Sequence, residues 1–150
     1  MRKIRLIALA AVLVATAAFA QQPKPESQIK LRKAAYDLMN YNFDNLDNMA
    51  SGKKPYNREE SIRNADFVAM LATVPRMFFG EGTDKGETRA KPEIWEHRAD
   101  FDAKMDKMST EAAKLPQVAR GGDVAALRKQ VEETEKACKA CHDDYRKKLR

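Results

Sequence analysis

An all-α chain folded as an antiparallel four-helix bundle is what this sequence predicts, and three observations carry that expectation. Apolar residues return at steps of three and four in four separate stretches. Proline, glycine and capping residues punctuate the gaps between them. No stretch alternates β-branched and polar residues over the length of a strand. Four amphipathic segments of about twenty residues with mostly short links suit an up-and-down bundle.

The first twenty residues are not expected to join that bundle. Arg2, Lys3 and Arg5 form a positive start, Leu6 to Ala18 is apolar and uncharged, and Ala18-Phe19-Ala20 has the small-x-small pattern of a cleavage site. A cleaved signal over residues 1–20 is expected, leaving one domain over 21–150. A membrane anchor would need about 20 apolar residues and a stop-transfer flank, and neither is present. Losing the leader removes three cations, so the formal charge of +6 falls to +3 (6 − 3). Mixed signs at that charge, with no dense Lys/Arg stripe, argue against nucleic acid as a partner.

The first helix follows Pro23 and Pro25. From Ile29, a stripe of Arg32, Tyr36, Met39, Phe43 and Leu46 steps by four and three, with Asp37, Asn40, Asp44 and Asp47 on the other side. Gly52 and Pro55 end it. Asn57, with Glu60 three residues later, caps the second helix. Its stripe reads Phe67, Leu71, Val74 and Phe78, and Pro75 is expected to kink or tighten its last turn. Three glycines between Gly80 and Lys91 mark a long surface loop.

Pro92 and Glu93 suit the start of a third helix with the stripe Trp95, Arg98, Phe101, Met105, Met108, Ala112 and Leu115. Pro116 bends or ends it, and Gly121-Gly122 breaks the chain. Asp123 caps a fourth helix whose stripe runs Leu127, Val131, Thr134, Cys138, Cys141 and Tyr145.

The chemistry sits on that last helix. Cys138-Lys139-Ala140-Cys141-His142 is a C-x-x-C-H haem attachment pattern. Each thiol adds to one haem vinyl group, and residues three apart share a helix face. The histidine that follows can ligate the iron through one ring nitrogen. Two other readings compete. A thioredoxin-like pair belongs at the start of a helix near a βαβ unit. A zinc site needs four ligands, whereas His97 is the one further histidine and no other cysteine exists. Export agrees with haem c, which is attached outside the cytoplasm. One haem c held by Cys138, Cys141 and His142, with His142 as the axial ligand, is expected.

These residues resemble the cytochrome c′ family, the class II c-type cytochromes. The resemblance rests on Arg32-Lys33 with Met39, on Phe79-Gly80-x-Gly82-Thr83, on Pro92-Glu93-Ile94-Trp95, and on Cys138 through Tyr145-Arg146-Lys147. It implies a four-helix bundle with haem c on the C-terminal helix, and Arg32, Lys33, Tyr36, Phe79 and Arg146 around the cofactor. Tyr36, four residues after Arg32, matches the residue that covers the open side of the iron. A phenol with a reference pKa of about 10 is a poor ligand at neutral pH, so a five-coordinate, high-spin iron is implied. Met39 and Met49 are the alternative sixth ligands. Phe79 would wall the haem, with Phe43 and Phe78 as further aromatics. Arg146, one turn beyond His142 on the same face, would favour the reduced iron.

The implied function is a periplasmic, non-enzymatic protein binding diatomic gases, nitric oxide or carbon monoxide; the alternative is an electron carrier with a periplasmic donor or acceptor. A peroxidase lacks a distal histidine, since His97 falls near the start of the third helix. The resemblance also implies a homodimer through the first two helices, with Met49, Tyr56 and Met70 as candidate contacts, and no membrane association once the leader is gone.

Overall fold

The computed structural model describes residues 23–148, so the leader over 1–20 lies outside the described residues. Four long helices form the bundle: α1 Pro25–Ala50, α2 Arg58–Leu71, α4 Arg98–Ala112 and α6 Val124–Tyr145. Two short ones, α3 Glu93–Glu96 and α5 Leu115–Gly121, extend it, and a 3-10 turn spans Pro75–Phe78. Helix α1 packs on α2, and α4 on α6, while α1 also meets α6 and α5 braces α2 and α6. Among the described residues no helix is long and apolar enough to cross a membrane.

Local chemistry sets the helix ends. Pro25 stands in the first turn of α1, where its missing N–H costs nothing. The Asn57 side chain accepts from the Glu60 amide at 2.9 Å, and Asp123 accepts from the Ala125 and Ala126 amides at 2.8 and 3.2 Å. Gly122 closes α5 at φ 76°, the left-handed region where a side chain would be strained. The core between the helices is built on Leu46, Met49, Val68, Ile94, Phe101, Met105, Leu115, Leu127 and Val131.

Five expectations change. Phe67 was expected in the buried stripe of the second helix, yet it is 43 % exposed. Val74 and Phe78 lie beyond the helix end, so they do not share its period, and the inner face is Ser61, Asn64, Ala65, Val68 and Leu71. Ser61 and Ala65 are fully buried, small residues that let helices packed on α2 come close.

The expected third helix is three pieces. His97, at φ −116° and ψ 47°, leaves helical geometry and separates α3 from α4. Ile94 is buried in place of Arg98, which is exposed and donates to Asp102 and to the Phe79 carbonyl. A turn at Ala113–Lys114 follows, and Pro116 sits in the first turn of α5.

On α6, Ala137 takes the buried place next to Cys138, which is half-buried. At the far end, Arg146 is not helical: it is extended at φ −117°, ψ 127° and pairs with Ala90. Finally, Met49 is 1 % exposed within the core and Tyr56 packs against that core, so Met49 cannot contribute to a dimer contact. Of the three named residues Met70 remains, on a face where Leu38, Tyr41 and Phe67 are also exposed.

Candidate haem-binding site

The attachment turn lies between two cavities. One of about 550 Å³ is walled by α1, the 86–90 loop, α4 and α6, and includes Arg32, Tyr36, Phe79, Phe101, Cys141 and Tyr145. The other, about 400 Å³, carries Met39, Phe43, Met108 and Cys138. Asn40, His142 and Arg146 line both. Both volumes are in the range of cofactor pockets, and the helix that separates the two thiols presents one to each space.

Thiol chemistry favours a covalent group over a redox pair. Cys138 and Cys141 are free, and burial pushes each thiol up to about 11. Catalytic C-x-x-C pairs depend on a depressed thiol pKa, the reverse of this environment. Among the described residues no three His, Cys, Asp or Glu groups converge as a metal cage requires. A porphyrin brings its own four nitrogens and needs from the protein the thiols and one axial base, and those are what the turn offers.

His142 is half-buried, and its pKa falls to about 4. Burial is the main cause, followed by the nearby charges of Arg146 and then Arg89. At neutral pH the imidazole is therefore uncharged, the form that ligates a metal. Although the helical-face argument for Arg146 fails, its guanidinium still reaches the histidine because the chain turns back beside it.

A short strap produces that turn. The Lys91 amide donates to the Tyr145 carbonyl at 3.0 Å, and the Lys147 amide to the Arg89 carbonyl at 2.8 Å. Arg89 donates through Nε and Nη2 to the Lys147 carbonyl at 3.0 and 2.8 Å. Lys91 Nζ donates to the Asp143 and Asp144 carbonyls, which the helix end leaves without partners. Arg89, Asn40 and this pairing were not anticipated. The helical period places Asn40 on the outer face, and strap contacts more than 50 residues apart leave no local pattern in a sequence.

Opposite, on α1, Tyr36 lines the larger cavity and its hydroxyl donates to the Met105 sulfur at 3.8 Å. Burial, and then the charge of a Cys141 thiolate, push the phenol pKa up. Arg32 is 3 % exposed. Nη1 donates to the Phe78 carbonyl at 3.1 Å and Thr83 Oγ1 at 3.0 Å, and Nη2 to the Thr83 carbonyl at 2.7 Å and Thr88 Oγ1 at 2.5 Å. A guanidinium has five N–H donors, so Nε alone remains for a cofactor. Arg32 chiefly organises the loop, through Thr83 of the Phe79–Thr83 segment and through Thr88, which the sequence did not single out.

Phe79 is buried beneath the Arg32 guanidinium, 4.5 Å from its ring centre, with Phe101 at 4.8 Å and Trp95 at 6.1 Å. Phe43 lines the smaller cavity, whereas Phe78 lines neither and offers its carbonyl to Arg32. Lys33 stands exposed at the mouth of the larger cavity. Met39 lines the smaller cavity, but Met49 lines neither and is lost as a candidate ligand. His97 is exposed and outside both cavities.

Comparison with known proteins agrees with this geometry. The family model described as cytochrome C' matches residues 27–146. The cytochrome c' of Rubrivivax gelatinosus is 38 % identical over 129 residues, spanning 85 % of this chain and 100 % of that one. A cytochrome c-554 of Cereibacter sphaeroides is 36 % identical over 154 residues, 99 % of each chain. Among solved structures, cytochrome c prime from Shewanella frigidimarina superposes with a TM-score of 0.82 at 38 % identity, covering 85 % of this chain and 100 % of that one. A nitric oxide complex of a variant cytochrome c prime from Alcaligenes xylosoxidans gives 0.79 at 35 % identity, covering 86 % and 100 %.

Proposed function

This chain belongs to the cytochrome c′ family, a family of covalent haem c proteins, and from that premise we propose that it is a periplasmic gas-binding protein whose five-coordinate, high-spin iron takes nitric oxide or carbon monoxide. Haem c, when bound, would supply an iron able to take a diatomic ligand and to cycle between ferric and ferrous. Everything else is the work of the chain. Cys138 and Cys141 tether the group, and His142 offers a neutral imidazole. Burial, then Arg146 and Arg89, keep a proton off that ring, while Phe79, Ile94 and Phe101 give the larger cavity an apolar wall.

The observation that carries this reading is Tyr36. Its hydroxyl stays protonated and already has a partner in Met105, so α1 offers bulk rather than a ligand. The solved relative with nitric oxide bound supports the choice of gas. Optical spectra of the ferric and ferrous protein, with and without nitric oxide, test it. A high-spin ferric spectrum and new bands with nitric oxide are expected. A low-spin ferric spectrum would overturn the five-coordinate iron and point to Met39.

Exposed Lys33, Arg89, Arg146 and Lys147 near the cavity mouth favour one second reading, electron exchange with an acidic periplasmic partner. A ferrous protein indifferent to nitric oxide would favour it. In neither reading does the chain turn over a substrate. Cleavage after residue 20 and pairing of two copies through Leu38, Tyr41, Phe67 and Met70 complete the proposal; these residues line a groove of about 400 Å³ between α1 and α2.

Arg146 gives a sharper check. A cation beside His142 disfavours the more positive, ferric iron, so Arg146→Ala should lower the reduction potential. Solvent screens an exposed arginine, so the shift should be on the order of tens of millivolts. Potentiometric titration reads it, and an unchanged potential would remove Arg146 from the site.

A further inference from the structure

The Tyr36 hydroxyl is held by a partner that cannot hold it firmly. Met105 lies on α4, one turn beyond Phe101, and is 1 % exposed. It does not line the larger cavity, whereas Tyr36 does, so the phenol bridges the cavity and the core behind it. A thioether is a weak acceptor, and 3.8 Å is a long contact. A carbonyl or carboxylate in that place would keep the hydroxyl for itself. Two polar neighbours are largely engaged elsewhere: Arg32 spends four of its five donors on the 78–88 segment, and Thr88 Oγ1 accepts from both Arg32 and the Ala90 amide.

We propose that Met105 is a positioning residue for Tyr36, its sulfur competing with a small guest in the cavity for the one hydrogen bond the Tyr36 hydroxyl can donate. The guest is a diatomic molecule whose outer atom can accept that bond, so the inference rests on the gas-binding reading. Met105 thereby sets how polar the cavity is toward a ligand while touching none of it. A strong acceptor would make the cavity apolar, and an aliphatic residue would make it polar.

The test uses mature haem-loaded protein and carbon monoxide, with Met105→Leu, Tyr36→Phe and the double variant. Leucine conserves the volume of methionine, and such swaps are tolerated in cores. Freed from the sulfur, the hydroxyl should turn to the guest. Met105→Leu should then lower the C–O stretching frequency in the infrared and slow carbon monoxide release by roughly three-fold, the worth of a fraction of a hydrogen bond. Tyr36→Phe should raise the frequency, and in that background Met105→Leu should change nothing. An equal shift with and without the hydroxyl would mean simple repacking and overturns the proposal, as does no shift at all.

Failure of the gas-binding reading would look different, since no carbon monoxide complex would form. The proposal is then read without gas, from the Tyr36 band in the ultraviolet Raman spectrum of the ferric protein, identified among the four tyrosines by its loss in Tyr36→Phe. Met105→Leu should move that band; an unmoved band overturns the proposal in this case too.

Discussion

Serine at both Cys138 and Cys141 should leave a chain whose pigment is extracted by acid-acetone and lost on dilution, where the parent keeps its colour through both treatments. The expected effect is large because it changes the order of the binding equilibrium. A tethered group is present at a high effective concentration whatever the dilution. An untethered one stabilises the fold only as the logarithm of its free concentration, losing about 1.4 kcal/mol for each tenfold dilution above its Kd. The substitution itself is mild: a serine in a helix can bond back to the carbonyl four residues earlier. Cys141 is 8 % exposed and Cys138 is half-buried, so each hydroxyl needs that backbone partner to limit the cost of its burial. Each single variant should retain one thioether and resist extraction. The melting temperature of the double variant should depend on added haem, and scanning calorimetry at several haem concentrations checks it. Colour that survives extraction in the double variant would refute thioether attachment.

That turn was legible in the sequence because everything it needs is local. Two thiols three apart and a histidine beside them have fixed relations on any helix, and the caps at Asn57 and Asp123 are equally short-range. Periodicity also found Arg32, Met39 and Leu46 on the inner face of α1, but Ala35 and Asn42 are buried beside Tyr36 and Phe43, which are only half-buried. It failed where the phase was carried past a helix end, as from Leu71 to Phe78, and where one backbone conformation at His97 broke a pattern that reads as continuous. The site suffered the same division. Tyr36, Phe79 and the attachment turn were found; Met105 and Thr83 were named without their partners, and Thr88 and Arg89 not at all, because these contacts act across separations of 50 residues or more. A charged Arg32 within an apolar stripe did signal that partners must exist; nothing local said which.

Arg32→Ala should cost about 3 kcal/mol of folding stability, and the loss should be felt on both sides of the cavity. The side chain's four donated hydrogen bonds converge on Phe78, Thr83 and Thr88. Thr83 Oγ1 keeps a bond to the Gly80 carbonyl, but the Phe78 and Thr83 carbonyls lose their guanidinium donor near the buried Phe79 ring. A buried polar group without a partner costs about 1–3 kcal/mol; the buried Thr83 carbonyl and the part-buried Phe78 carbonyl set the scale. Lysine should recover only part, because an ammonium cannot span four acceptors in a plane. The urea midpoint should fall with an unchanged slope.

A distant consequence separates this from ordinary core damage. Thr88 Oγ1, held by Arg32, is also the acceptor for the Ala90 amide, and Ala90 is paired with Arg146 beside His142. Loss of Arg32 should therefore loosen the strap at the far end of α6. Faster hydrogen exchange is expected at the Lys91 and Lys147 amides, while the capped start of α6 at Ala125 and Ala126 should exchange as before. Uniform acceleration along α6 would mean that the bundle as a whole had weakened. Protection retained at Lys91 and Lys147 would mean that α1 and the histidine side of the cavity are held independently.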